Sequence, residues 1–152
     1  MTALPPTGRL LGVDYGTVRH GLAICDAERR IASPWAIRER KNETADAQYF
    51  RQLITAEKIV GLVLGLPLRS DGGDNKQSLE VRKFAEWLAR ETQLPIVFAD
   101  ERFTTVFAEE ALWNAGLTHK QRKARRDAVA AQALLHGYLE SDRDPTGQAL
   151  NG

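Results

Sequence analysis

Acidic residues recur where apolar segments end. Asp14 closes the run RLLGVD, Asp100 and Glu101 follow LPIVFA, and Asp127 precedes the alanine-rich AVAAQALL. Carboxylates gathered at the ends of apolar elements repel one another and lose hydration. A fold keeps such a set when a cation neutralises it or a reaction needs it. Mg²⁺ takes carboxylate and water oxygens, so metal-dependent phosphodiester chemistry is the leading reading of the pattern.

Each acid also has an ordinary explanation. Asp14-Tyr15-Gly16 suits an Asx-type turn closing a hairpin. The glycines at 12, 16 and 21 favour the functional reading, because they keep bulk away from the carboxylate and let metal or phosphate approach. Asp100-Glu101-Arg102 precedes Thr104-Thr105, a helix-capping pattern that accommodates one acid near a helix N-terminus but hardly two. Neighbours on a strand point to opposite faces, so only one of the pair enters a cluster, and alternation leaves open which. Asp127 suits an N-cap at the start of a last helix. It also shares a helix face with Ala130, Ala131 and Leu134, the small and apolar residues that pack on a sheet.

Lys120, Arg122, Lys123, Arg125 and Arg126 read as a cationic loop just ahead of Asp127. Solvated surface is the ordinary expectation for such a run. Its place beside a carboxylate, in a chain of net charge +1, suits contact with a phosphate backbone. Arg19 and Arg102 flank two of the acids, as phosphate contacts or as ion-pair partners. His20, His119 and His136 show no metal-ligand spacing, and Trp35, Trp87 and Trp113 are assigned to core or rim rather than to base stacking.

Apolar runs at 9–14, 19–25, 31–37, 58–64 and 94–99 read as strands, with Pro34 marking an edge or a bulge. The first three follow too closely for parallel crossovers, so they form an antiparallel meander. Helical spacing covers 43–57, 77–91, 104–115 and 127–139, and the turn-rich 65–75 reads as a surface loop. The result is an α/β fold: a mixed five-stranded sheet with helices on both faces. Ligands in open α/β sheets collect beyond the carboxyl ends of strands, where Asp14 and the Asp100-Glu101 pair both stand.

The 152 residues suit one domain without internal repeat or linker. No apolar run reaches the roughly 20 residues of a membrane span, and the N-terminal segment lacks a signal pattern. Cys25 is the sole cysteine, which excludes an intrachain disulfide and disfavours cysteine-held zinc. A cytoplasmic protein without membrane partners is the expectation.

Four blocks in order, GVDYGTVRHGLAICD, GLPLRSDG, ADERFTT and DAVAAQALL, resemble the YqgF/RuvX family. Its members are RNase H-like Holliday-junction resolvases, also regarded as pre-16S rRNA nucleases. The resemblance implies one RNase H-like nuclease domain over 8–140, with flexible tails at 1–7 and 141–152. It implies that Asp14, Asp127 and an acid of the Asp100-Glu101 pair, Glu101 in first place, are catalytic and hold two Mg²⁺ or Mn²⁺ ions. Arg19, Arg102, Thr104, Thr105 and the cations at 120–126 would contact substrate. Gly65, Leu66, Pro67, Asp71 and Gly72 match a loop motif that contacts substrate or shapes the site.

The implied activity is metal-dependent endonucleolytic processing of the 5′ end of precursor 16S rRNA, by a monomer or weak homodimer. The alternatives are junction resolution on branched DNA, a non-catalytic ribosome or transcription factor, and a nucleotide binder akin to actin-like ATPases. Better-defined junction resolvases of the superfamily carry an acid where this chain has Gly65-Leu66. They also carry two acids on the last helix, where this chain has Asp127 and then Ala130, so the carboxylate set here is smaller by one.

Overall fold

The structure, a computed structural model, describes residues 3–100 and 119–143, the side chains at 119–127 and 142–143 excepted. Five apolar runs become strands: β1 (Arg9–Asp14), β2 (Arg19–Cys25), β3 (Ala32–Glu39), β4 (Ile59–Leu66) and β5 (Ile96–Asp100). They form one sheet in the order β3-β2-β1-β4-β5. The β1–β2 and β2–β3 pairs are antiparallel, as their short links require. β4 and β5 add in parallel beside β1, through α1 (Glu43–Glu57) and α2 (Lys76–Thr92). The observed topology is the expected meander followed by parallel strands.

Alternation divides each strand between two buried layers. Leu11, Val13, Leu22, Ile24, Leu62, Leu64 and Ile96 pack with Phe50, Val81, Phe84 and Leu88 of α1 and α2. Leu10, Ala23, Val63, Val97 and Ala99 pack on the other face with Ala131, Leu134, Leu135 and Leu139 of α3 (His119–Arg143). Both faces of the central strands are therefore covered, which explains their continuously apolar sequences. Pro34 lies on the edge strand at a register shift that leaves Trp35 bulged and half-exposed.

Helix starts follow side-chain chemistry. Asn42 accepts the Ala45 N–H at 2.9 Å to begin α1. Asn75 and Ser78 exchange side-chain-to-backbone bonds of 2.8 Å in a capping box that begins α2. α3 differs from expectation: the helix already covers His119, so the cationic run is helical rather than a loop, and Asp127 lies within the helix rather than capping it. The run HKQRKARR contains no glycine or proline and is rich in strong helix formers, so it propagates helix instead of delaying it. The same helix continues to Arg143, so residues 141–143 of the expected tail are helical. β4 runs two residues past its expected end because Gly65 and Leu66 pair with Ala99 and Asp100. The helix expected over 104–115 lies outside the described residues.

Candidate active site

Asp14 is the last residue of β1, the central strand. It has the parity of Leu10 and Gly12, which face α3, so its side chain leaves the sheet on that face. Gly12 is what brings α3 close. A Cβ built there would meet Leu135 Cβ at 3.0 Å and the Ala131 carbonyl oxygen at 3.3 Å, closer than ordinary packing permits. Ala131 and Leu135 thus sit directly on β1, and Asp127 occupies the helical position one turn before Ala131. Of the expected stripe, Ala131 and Leu134 are buried against the sheet, whereas Ala130 is only partly buried.

Two further positions share this face and this end of the sheet. Arg19, at the start of β2, has the parity of Ala23 and Cys25, which face α3. Gly65 has the parity of Val63 and presents no side chain beside Asp14. Asp100 ends β5, two strands from Asp14 across β4, or about 10 Å at normal strand spacing. It has the parity of Ile96 and Phe98, both packed with the α1–α2 layer. Asp14 and Asp100 therefore share the carboxyl end of the sheet but lie on opposite faces.

Other expected site residues fall outside this geometry. Glu101, Arg102, Thr104 and Thr105 lie outside the described residues. Lys120, Arg122, Lys123, Arg125 and Arg126 occupy the first turns of α3. Among the described residues no three His, Cys, Asp or Glu side chains form a metal-holding group. Of the three expected metal ligands, only the Asp14 side chain is described. Gly65 and Leu66 are the end of β4, and Pro67 opens the loop. Within that loop Asp71 accepts from Arg69 and from the Gly73 N–H, at 2.8 Å for the latter. Asp74 then accepts from Ser78 and Arg82 of α2 at 2.8 and 2.9 Å. These bonds tie the loop to the start of α2.

The turn that follows Asp14 is held by residues whose spacing gave no sign of it. His20 is 1% exposed and packs against Tyr15, Phe50 and Phe84. The Gly16 N–H donates to its Nδ1 at 3.2 Å. Burial, then the Arg40 and Arg38 charges, lower its pKa to about 4 against an opposing pull from Asp46, so the ring is neutral and can accept. Arg40 Nη1 donates to Tyr15 Oη, Gly16 O and Thr17 O at 3.1–3.3 Å. A Cβ on Gly16 would lie 2.0 Å from the Arg19 carbonyl oxygen, so only glycine fits. Strand alternation places His20 inside, but its partners become visible only once α1 and α2 are folded over it. Cys25 is buried with its thiol pKa raised by burial, which makes it a packing residue.

Comparison with known proteins identifies the family and the fold. The family model described as "RuvX: Holliday junction resolvase" matches residues 8–141. A Rhodopirellula baltica protein named "Putative pre-16S rRNA nuclease" is 50% identical over 139 residues, covering 91% of this chain and 80% of the relative. A Paracoccus denitrificans protein of the same name is 44% identical over 138 residues, covering 91% and 87%. In three dimensions the chain resembles T. thermophilus RuvC in complex with a Holliday junction substrate, with a TM-score of 0.55 at 12% identity over 92% of this chain and 98% of that one. It also resembles a Fowlpox virus resolvase in complex with junction DNA, with a TM-score of 0.57 at 12% identity over 90% and 99%. At that identity these structures establish a shared RNase H-like fold. On its sequence and its sheet, the chain belongs to the RuvX family.

Proposed function

We propose that this chain is a divalent-metal-dependent endonuclease acting on precursor 16S rRNA. The observation that supports the reading is the seating of Ala131 and Leu135 of α3 on Gly12, two residues before Asp14, with Asp127 at the helical position one turn before Ala131. The four-residue step from Ala131 back to Asp127 covers about 6 Å of helix. The two-residue step from Gly12 to Asp14 covers about 7 Å of strand. The two acids are thus offset by similar lengths from one contact.

Asp14, Asp127 and Glu101 would hold Mg²⁺ or Mn²⁺. Carboxylate oxygens are the donors these ions prefer, and the side-chain-free Gly65 leaves room beside Asp14. Asp100, on the opposite face, is badly placed to share an ion with Asp14, which favours Glu101 of the pair. Two ions would activate the attacking water and stabilise the leaving oxygen. The chain's own groups supply the rest: Arg19 and the cations of the first turns of α3 hold the flanking phosphates, while His20 and Arg40 fix the turn that aims Asp14. Arg102, Thr104 and Thr105 complete the proposed substrate contacts. The curated relatives' names favour precursor rRNA over branched DNA, because they come from proteins 44–50% identical.

The test is cleavage of a precursor 16S rRNA fragment by highly purified protein with Mg²⁺, against Asp14→Asn and against chelator. Wild type should cut and both controls should be silent, with the variant still binding RNA. Cleavage undiminished in Asp14→Asn would exclude the site. Cutting of a four-way DNA junction but not of the rRNA fragment would favour the resolvase reading, which also requires a two-site dimer.

A further inference from the structure

On the α1–α2 face, immediately beside the Asp14 turn, lies a cavity of about 370 Å³. That size falls in the ~300–1,000 Å³ range of small-ligand sites. Its aromatic lining is Tyr15, Phe84 and Trp87. These rings form a continuous series, with Tyr15–Phe84 centroids 5.0 Å apart and Phe84–Trp87 centroids 5.6 Å apart. Phe84 is buried, whereas Tyr15 and Trp87 are only partly buried, so the series offers some ring surface to whatever enters. Tyr15 is the residue after Asp14, with Cα atoms one peptide apart, about 3.8 Å.

The charges around the cavity are mixed. Arg40, Lys83 and Arg90 supply cations, all three exposed. Glu43, Asp46 and Glu80 supply carboxylates, but Asp46 is engaged by Arg38 at 3.0 Å and by the Lys41 N–H. Glu80, Lys83, Trp87 and Arg90 recur every three or four residues, so one stripe of α2 presents ring, cation and acceptor together. A purely anionic ligand would meet Glu43 and Glu80, and a purely apolar one would strand the charged rim. A planar group with N–H or O–H donors, attached to a phosphate, satisfies all three.

We infer that this cavity binds one unpaired nucleotide of the nucleic-acid strand, its base stacked on Trp87 and its phosphate held by Lys83 and Arg90. The inference rests on the proposed nuclease reading and names its substrate class: a strand single-stranded beside the cleavage point. A paired base cannot reach the rings, because its faces are already stacked within the duplex. The strand would pass over the carboxyl end of the sheet, from the cations of α3 on one face to the aromatic cavity on the other.

The test is binding rather than cleavage, performed with chelator so that it does not depend on activity. A labelled single-stranded oligoribonucleotide and the same strand annealed to its complement are titrated with the full chain. Stacking contributes about 1–3 kcal/mol per base. At 1.4 kcal/mol per decade, Trp87→Ala should therefore weaken single-strand binding about 5- to 140-fold and leave duplex binding unchanged. Lys83→Ala with Arg90→Ala, both exposed and remote from the core, should lower the salt dependence of single-strand binding by about one unit each. Single-strand affinity within twofold of wild type in a Trp87→Ala protein with native circular dichroism would overturn the inference. Should that variant fail to fold, an unchanged salt dependence in the Lys83/Arg90 double variant would overturn it. Absence of cleavage by wild type with Mg²⁺ would defeat the nuclease reading, whereas these binding results decide the cavity by themselves.

Discussion

His20→Gln tests whether the turn beside Asp14 depends on a neutral buried imidazole. In the folded chain the His20 pKa is lowered from 6.5 to about 4, chiefly by burial, with Arg40 and Arg38 adding to the shift and Asp46 opposing it. Between those values the unfolded chain takes up a proton that the folded chain refuses. Unfolding is therefore favoured as pH falls: the His20 contribution is complete above pH 6.5 and is lost progressively down to about pH 4. At 1.36 kcal/mol per pKa unit the loss amounts to about 3 kcal/mol.

Glutamine has a similar length, retains an acceptor for the Gly16 N–H and does not titrate. Urea unfolding of both proteins at intervals between pH 7 and pH 4 isolates the imidazole, because carboxylate titration affects both alike. Wild type should lose about 3 kcal/mol more than His20→Gln across that window. NMR of the ring should show no protonation until the solution approaches pH 4. Parallel loss in the two proteins, or a ring that titrates near 6.5, would refute the reasoning. An exposed imidazole released from Gly16 would give that result.

Other substitutions test the remaining contacts. Gly12→Val should cost about 1–3 kcal/mol in thermal or urea unfolding, because its branched side chain must displace Leu135 and the Ala131 carbonyl. Nuclease activity should fall further than stability if α3 carries a ligand over Asp14. Gly16→Ala should deform the turn, since its Cβ would overlap the Arg19 carbonyl; the expected readout is loss of cleavage with RNA binding retained. Asp46→Ala should destabilise by about 3 kcal/mol, because Arg38 would be left largely buried without its carboxylate. The double variant Arg38→Met/Asp46→Ala should recover part of that loss in the same unfolding assay.

Strand identity and the antiparallel start of the sheet were legible in the amino-acid sequence because they depend on local quantities. The run IVGLVLGL and the interior of RLLGVD have no polar residue to place in water, and the short links around 15–18 and 26–31 permit only antiparallel neighbours. The α1 bounds agree with expectation for the same reason, since Asn42 caps one end and the left-handed Lys58 ends the other. The start of α3 was misread because Asp127 resembles a cap, whereas the preceding eight residues are themselves good helix formers.

Sequence by itself determined that acids would stand at strand ends, since hydrophobic runs must stop where charge begins. Only the tertiary structure decided which face each acid takes. That choice depends on which layer of helices a strand's alternate residues meet, and no local pattern distinguishes two equally buried faces. Gly12 puts Asp14 on the α3 side, Phe98 puts Asp100 on the α2 side, and the closure of α1 and α2 makes His20 a support for the turn. The Trp87 cavity arises in the same way, from Tyr15 after β1, Arg40 after β3, and residues of α1 and α2 that only packing brings together.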